Sequence, residues 1–481
     1  VSIHESTPAQ INGAVTAASR TAGDWAQSPA ARRASLFHGL ADALHAQRDA
    51  LIAIAHTETS LPLPRLNGEL DRTIFQLRGF ADQVVAGRPF AVTEDAAVAG
   101  APPQGRPHLA RVQVPLGPVA MFSASNFPFA FSVLGGDTVS ALAAGCPVVV
   151  KAHPGHPALS RAVHELAQAV LARQDLPAGL IGMVEGAGID VGVSLVRHPD
   201  IAAVAFTGSY QGGHALWQQA NARPRPIPFY GELGSTNPVV ILPAALAGQV
   251  ADRAAALADS MAFSSGQVCT SPGVIVLFDG ADADAFEVAL RDALAAKTLH
   301  PMLTAGMKRN FDAGVARVVG TPGVATVLAG TDAGSDAGGN AAPQPLVART
   351  TAANFIAQHA LQEEVFGPAC VLVRVASVDE VVAVLNAVGG SLTVTVWGAQ
   401  EASDDVARVV RAAQRIAGRV LFSGVPTGVA VAASQVHGGP WPSSTQPAAT
   451  SVGYAALERF LRPVALQDAP GWLLALDGRP V

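Results

Sequence analysis

From Val119 onward the chain repeats one unit: a short apolar run, a turn of small residues, then a stretch with helical spacing. VAMF, PVVVK at Pro147 to Lys151, IGMVEG at Ile181 to Gly186 and AAVAFTGS are the apolar runs. Asp137 to Ala144 and Ala158 to Ala172 between them are helical, with Gly145 placed to stop the first. Strands that alternate with helices in this way pair in parallel, because each crossover carries the chain back to the same edge. The loops that follow the strands carry Asn126, Lys151 and Ser209, and they gather along the edge where open α/β sheets bind ligands. This arrangement reads as dinucleotide-binding. A second α/β unit begins after Asn237 to Pro243. It carries the helical run Val250 to Phe263, the strand GVIVLF, the helical ALRDALAAK, the strand-like EEVFGPACVLVRV, SLTVTVWG and RVLFSG, and the helix Glu401 to Ala417. Gly330 to Ala342 is of low complexity and reads as a surface turn or short linker.

Ahead of the sheet, Pro8 to about Gly87 has apolar residues at spacings of three and four, which predicts helices. Ser28 and Pro29 read as the N-cap and first-turn proline of the second. Ala91 to Pro107 reads as loop, and Leu109 to Val114 as a strand that PLGP turns toward VAMF.

Composition narrows the function. Hydrophobic residues make up 49% of 481 and charged residues 14%, which fits a well-buried enzyme and argues against disorder. The net charge of −6, with lysine only at positions 151, 297 and 308, gives no basic footprint for nucleic acid or an anionic membrane. Three scattered cysteines form neither a disulfide framework nor a zinc knuckle, which suits a reducing cytoplasm. No secretory signal or bilayer-length apolar run is expected.

Of the three cysteines, Cys146 in LAAGCPVVVK and Cys370 in FGPACVLVRV have the apolar neighbours of small core residues. Cys269 in FSSGQVCTSP lies among small polar residues before a proline and is the candidate nucleophile, although environment rather than sequence decides a thiol's reactivity. Glu232 in PFYGELGSTNP is a single carboxylate among glycines and turn formers. A cysteine and a carboxylate suit acyl-enzyme chemistry, in which a thiolate attacks a carbonyl and the carboxylate activates the water that releases the product. Asn126 in SASNFPF is an amide suited to an oxyanion. FTGSYQGG offers Gly208 for close backbone approach and Ser209 to cap a helix whose N-terminus would attract a pyrophosphate, while also reading as a plain strand-to-helix turn. GAGIDVG has one residue too many for GxGxxG. Lys151 reads as a strand-end lysine or a cofactor contact.

Other chemistries fit less well. His153 and His156 in KAHPGHP lack cysteine or carboxylate companions, so no metal is expected there. His164 and Glu165 begin an HExxH that Gln168 breaks. A cysteine hydrolase would need a histidine base near Cys269. The nearest in sequence are His214 and His300, a pairing that sequence leaves open.

FTGS at Phe206 to Ser209, GELG around Glu232, GQVCT around Cys269, EEVFGP at Glu363 to Pro368 and NFP at Asn126 together resemble the aldehyde dehydrogenase superfamily across nearly the whole chain. Within it, SNFPFAFSVLGGDTVSALAAGCPVVVKAHPGHP, PFYGELGSTNP, and HGGPWP with SVG and RFLRPV look most like the α-ketoglutarate semialdehyde (2,5-dioxopentanoate) dehydrogenases. The resemblance implies an aldehyde dehydrogenase-like α/β fold: two parallel-sheet domains with a β-hairpin and C-terminal oligomerisation element. Residues 1–235 are expected to bind the dinucleotide, with a hairpin at about 105–120 as the oligomerisation arm. Residues 236–435 would be the catalytic domain, and 436–481 would return to the first domain and the oligomer interface. It further implies a homo-oligomer, dimer or tetramer, with Cys269, Glu232 and Asn126 catalytic. Lys151 and Glu364 would lie on the cofactor's riboses, Phe366 on its nicotinamide, and Gly208 and Ser209 beside its phosphates. Dual use of NADP and NAD with a modest NADP preference is expected, because no carboxylate follows Lys151 in AHPG to hold the adenosine ribose. The implied reaction is oxidation of a short semialdehyde. An aldehyde dehydrogenase of other specificity, or a silent scaffold of the same fold, are the alternatives. Arg72 and Arg78, on LDRTIFQLRGF, read as a solvated helix face rather than as substrate contacts.

Overall fold

A computed structural model describes residues 4–87, 90–329 and 341–474, so most of the Gly330 to Ala342 segment lies outside the described residues. Five parallel strands form one sheet in the order Ile181–Val184, Val148–Lys151, Val119–Phe122, Ala203–Thr207, Phe229–Glu232. Alternate residues face opposite ways. Val119, Met121, Val148, Val150, Ala203 and Ala205 pack with the helices Ala30–Ala46, Leu63–Val85, Gly136–Ala144 and Pro157–Arg173. Ala120, Phe122, Val149, Val204 and Phe206 pack with Pro8–Ala26 and Ile189–Arg197. Cover on both faces is why these strands read as unbroken apolar runs instead of an alternation.

The chain leaves Val119–Phe122 in one direction, through 148–151 to 181–184, and then returns past its start to 203–207 and 229–232. The order therefore reverses at Val119–Phe122, and the loop leaving that strand, which carries Asn126, opens at the switch point. Register aligns the strand ends: Phe122 pairs with Lys151 and Phe206, and Thr207 with Glu232. Lys151, Thr207 and Glu232 thus finish on one edge. Gly145 closes its helix at φ 95°, and Ser209 caps Tyr210–Asn221 by accepting the Gly212 N–H at 3.3 Å, both as the sequence predicts. The second helix starts one residue later than expected, at Ala30, with Pro29 in the cap position.

The second sheet has seven strands in the order Ala325–Ala329, Leu346–Thr351, Ala369–Val375, Val274–Phe278, Val239–Ile241, Ser391–Trp397, Ala417–Leu421. All neighbours are parallel except the first pair.

One expectation is corrected. Leu109–Pro115 and Val119–Phe122 do not form a hairpin: the first pairs antiparallel with Thr93–Asp95 and with Leu461–Gln467, the second lies inside the parallel sheet. The turn at 116–118 joins two sheets, because Val119–Phe122 is buried on both faces and has parallel neighbours on both edges. The short strand Thr93–Asp95 falls within the predicted loop.

The C-terminal segment is fastened to the first domain by Leu461–Gln467, which pairs with Leu109–Pro115, and by a buried ion pair to the helix Gly136–Ala144. Arg459 Nη2 donates to Asp137 Oδ1 at 2.7 Å, with the guanidinium over the rings of Phe460 and Tyr230. No helix among the described residues is long and apolar enough to cross a membrane, and Cys146, Cys269 and Cys370 are free. Asp137→Ala would strand the Arg459 guanidinium in this apolar setting, a loss of about 3–5 kcal/mol. The expected outcome is a lower urea midpoint; an unchanged midpoint would show that the pair does not hold the C-terminal segment in place.

Candidate active site

The cysteine is presented by a backbone that few residues adopt. After the helix Val250–Ala262, Ser264, Ser265 and Gly266 follow one another at φ 54°, 53° and 69°. Left-handed serines cost on the order of 1 kcal/mol or more each and persist only where the surroundings hold them. Here Ser265 Oγ donates to the His300 carbonyl and accepts the His300 N–H, both at 2.9 Å. The Gln267 side chain accepts the Leu303 N–H and donates to the Ser264 carbonyl. At Gly266 a Cβ would lie 2.2 Å from the Gly367 carbonyl carbon, so the EEVFGP loop rests directly on this turn. Asn237, itself at φ 46°, donates from Nδ2 to the carbonyls of Cys269 and Ser271 at 2.8 and 2.9 Å.

Around the thiol lies a buried polar cluster. His437 Nε2 is 3.4 Å from Cys269 Sγ and 3.0 Å from Glu232 Oε1, and Ser451 Oγ donates to Glu232 Oε2 at 2.5 Å. Burial opposes the charge on Glu232, but His437, Ser451 and the Cys269 thiol outweigh it and hold the carboxyl below its usual range. The same carboxylate, after burial itself, pushes the Cys269 thiol well above its usual value, with Arg72 opposing. The resting group is therefore a thiol beside an ionised carboxylate. A proton on His437 Nε2 suits this geometry, since a lone pair there would face the Glu232 oxygen. That one N–H serves whichever of Glu232 and Cys269 carries the negative charge.

Asn126 is tied to the turn that carries the cysteine. Its Nδ2 donates to the Gln267 carbonyl at 3.0 Å, which leaves the second amide hydrogen available, and the Cys269 backbone N–H takes no partner among the described residues. The loop carrying Asn126 is held by the helix Leu63–Val85. Glu69 Oε1 accepts the Phe129 and Ala130 N–H groups at 2.7 and 3.0 Å, and Arg65 donates to the Asn126 carbonyl and to Glu69. Phe127, Phe131, Phe263, Val268 and Val429, with Arg72 and the thiol, line a cavity of about 420 Å³.

A second set of groups lies on the sheet edge. Lys151 Nζ donates to the Gly186 carbonyl, and Glu5 Oε1 accepts the Ala187 and Gly188 N–H groups at 2.7 and 2.9 Å. A carboxylate does therefore stand beside Lys151, although it comes from the N-terminal segment and not from the residues after the lysine. His153, two residues on, is held well below its usual pKa by burial and by the charges of His156 and Lys151. It is neutral and supplies no positive charge. Gly208 packs against the Phe206 ring, 2.8 Å from where a Cβ would stand. Glu364 lies over Gly234; burial pushes its pKa up to about 7, with the Ser235 N–H opposing. Phe366 lines the same small cleft as Glu364.

His437, Ser451, Glu69 and Asn237 are the groups that sequence reasoning did not single out. HGGP was noted only as a family form, and no spacing rule links a histidine to a cysteine 168 positions earlier. Neither His214, stacked on Tyr210, nor His300, bonded to the Pro301 carbonyl, takes that place.

A cysteine beside a buried carboxylate, at the edge of a dinucleotide-type sheet, agrees with the comparisons. The model of the aldehyde dehydrogenase family matches residues 1–463, and the chain belongs to that family. It is thus an NAD(P)-dependent oxidoreductase acting on aldehydes. It is 46% identical over 446 residues to alpha-ketoglutaric semialdehyde dehydrogenase 2 of Azospirillum brasilense, covering 93% of this chain and 84% of that protein. It is 38% identical to alpha-ketoglutaric semialdehyde dehydrogenase of Acinetobacter baylyi, covering 89% and 81%. Among solved structures, 3,6-anhydro-L-galactose dehydrogenase has a TM-score of 0.81 at 21% identity, covering 96% of this chain and 92% of that one, which speaks for the fold alone. Bradyrhizobium japonicum proline utilization A matches with a TM-score of 0.79 at 26% identity; 96% of this chain is covered but only 45% of that one.

The electrostatics predict a slow thiol. Alkylation of Cys269 by iodoacetamide, followed by peptide mapping, is expected to rise with pH into the alkaline range beyond an ordinary cysteine. Glu232→Gln removes the negative neighbour, lowers the thiol pKa and should speed alkylation at pH 8. A slower reaction in that variant would show that Glu232 activates the thiol more than its charge suppresses it.

Proposed function

We propose that this enzyme oxidises 2,5-dioxopentanoate (α-ketoglutarate semialdehyde) to 2-oxoglutarate, with Cys269 as nucleophile, Glu232 as general base and Asn126 as oxyanion donor. The observation that carries the mechanism is the pair formed by Cys269 and Glu232, bridged by His437 in one buried cluster. The names of the two semialdehyde dehydrogenase relatives support the substrate.

The thiol passes its proton to Glu232 as sulfur attacks the aldehyde carbon, while the His437 N–H shifts its donation toward the developing thiolate. The new oxyanion takes hydrogen bonds from Asn126 Nδ2 and the Cys269 backbone N–H. The chemistry NAD(P) supplies when bound is the two-electron oxidation of the thiohemiacetal carbon. Glu232, once it has released its proton to solvent, takes one from water, whose oxygen adds to the thioester carbon; the Cys269 thiolate leaves and regains that proton from Glu232, which restores the resting pair.

Residues on the sheet edge fit a dinucleotide. Glu364 is a half-buried carboxylate with no ion-pair partner among the described residues, suited to accept ribose hydroxyls, and Thr207 Oγ1 is buried without a hydrogen-bond partner. Lys151, Gly208, Ser209 and Phe366 complete the set. We take NADP and NAD both to be used, with a modest NADP preference that Lys151 favours and Glu5 limits. Residues 1–235, 236–435 and 436–481 are taken as the dinucleotide-binding, catalytic and C-terminal units of a cytoplasmic dimer or tetramer. The antiparallel sheet of 93–95, 109–115 and 461–467 is proposed as its contact surface.

Cys269→Ala should abolish turnover, whereas Glu232→Gln, whose thiol must lose its proton to solvent instead, should give a slower burst of reduced cofactor and then a steady state slower by ~10²-fold or more. Measured kcat/KM should favour 2,5-dioxopentanoate over succinate semialdehyde, glutaraldehyde and butanal. A tenfold advantage for butanal, ~1.4 kcal/mol of transition-state discrimination, would defeat the substrate reading.

Glu364 sets a pH dependence. Ribose hydroxyls donate to its ionised form, so KM for NADP and for NAD should fall as pH rises through about 7, with NADP the lower of the two. Glu364→Gln should flatten that profile. An unchanged profile in the variant would remove Glu364 from the cofactor site, and a strong NAD preference would remove the NADP reading.

A further inference from the structure

The cavity beside Cys269 contains a guanidinium that forms no ion pair: the carboxylate whose charge bears on it most, Glu69, is taken up by Arg65 and by the Phe129 and Ala130 N–H groups. Arg72 Nη2 is buried with no hydrogen-bond partner, and no ion pair among the described residues includes this side chain. Its neighbours differ. Arg65 is committed to Glu69 and the Asn126 carbonyl, Arg419 donates to the Gly428 and Pro426 carbonyls, and Arg78 pairs with Asp42 at the surface. Arg78 is thus on the solvated helix face that the sequence predicts, whereas Arg72 is not: it follows Glu69 by three residues and lies on the stripe that faces the cavity. The Phe131 ring at 5.6 Å gives its guanidinium partial compensation. Phe127, Val268 and Val429 around it give none. A half-buried guanidinium whose Nη2 has no partner in such a lining carries a standing deficit, and a carboxylate removes it with the two-pronged geometry that arginine offers.

Resting on the substrate reading above, we propose that Arg72 is the anchor for the carboxylate at the far end of the substrate, so that an aldehyde with an acid group fits between Arg72 and Cys269. The enzyme then selects short oxo acids by charge at the end opposite the reacting carbon, and the apolar walls hold the chain between. The rival role is electrostatic. The charges of Glu69, Cys269 and Glu232, in that order, bear on Arg72, and it would then assist the thiolate whatever the substrate.

The two roles separate in a ratio. For wild type, Arg72→Met and Arg72→Lys, kcat/KM is measured with 2,5-dioxopentanoate, succinate semialdehyde and butanal, and the Kd for 2-oxoglutarate is measured by calorimetry. A carboxylate anchor predicts that Arg72→Met lowers the acid-to-butanal ratio by about 100-fold, mainly through KM, and weakens 2-oxoglutarate binding by a similar factor. Arg72→Lys, a point charge without the fork, should recover part of both. If all three aldehydes lose equally, or if the ratio and the Kd stay within threefold of wild type, Arg72 is not the anchor while the substrate reading stands. If wild type itself does not favour the acids over butanal, the substrate reading and the anchor fall together.

Discussion

Glu232 is an ionised carboxylate with almost no exposed surface, and the molecule is arranged to make that charge tolerable. Burying a lone carboxylate costs several kcal/mol, and an isolated one would take up a proton instead. The donors that prevent this are His437 and Ser451, 205 and 219 positions later in the chain. They reach Glu232 because the C-terminal segment doubles back over the first sheet. Leu461–Gln467 pairs with Leu109–Pro115, Arg459 is tied to Asp137, and within the returning loop the His437 N–H meets Thr450 Oγ1 while its carbonyl accepts the Ser451 N–H. Strand pairing at the periphery thus serves a hydrogen bond at the centre.

The same charge has a consequence for the proposed nucleophile. A carboxylate raises the pKa of the thiol beside it, so Glu232 and Cys269 are not both ionised at rest. In the proposed mechanism one proton is shared by the pair, and the His437 N–H follows the charge from oxygen to sulfur. A protonated resting thiol is also a poor target for oxidants and alkylating agents, since reactivity belongs to the thiolate. The arrangement links the sulfur's nucleophilicity to the presence of an electrophile in the cavity.

What could be read from the sequence follows from what each signal depends on. The parallel sheet was legible because burial on both faces writes itself as unbroken apolar runs, and Gly145 and Ser209 were legible because capping is local. Cys269 and Glu232 stood out because small polar and glycine-rich loops frame them. The false hairpin at 105–120 came from reading adjacent strand-like runs as partners, when 109–115 pairs instead with 93–95 before it and with 461–467, some 350 residues later. His437 and Glu5 were missed for the same reason: their partners are set by the path of the chain. Arg72 was misread because a helix pattern tells which residues share a face but not what that face meets.

The helix Leu63–Val85 then has a larger part than its position near the N-terminus suggests. Its 23 residues bury Leu66, Leu70 and Leu77 in the core, and it presents Arg65, Glu69 and Arg72 at spacings of four and three, a single stripe toward the cavity. Arg65 and Glu69 hold the loop of Asn126 through its carbonyl and two following N–H groups. Asn126 sits on a loop and Arg72 on the helix, and the loop is tied to the helix by Arg65 and Glu69. An untethered loop would let the separation of the two groups vary. The ties to the helix limit it, which is the condition that the proposed oxyanion donor and carboxylate anchor would need to act on one substrate.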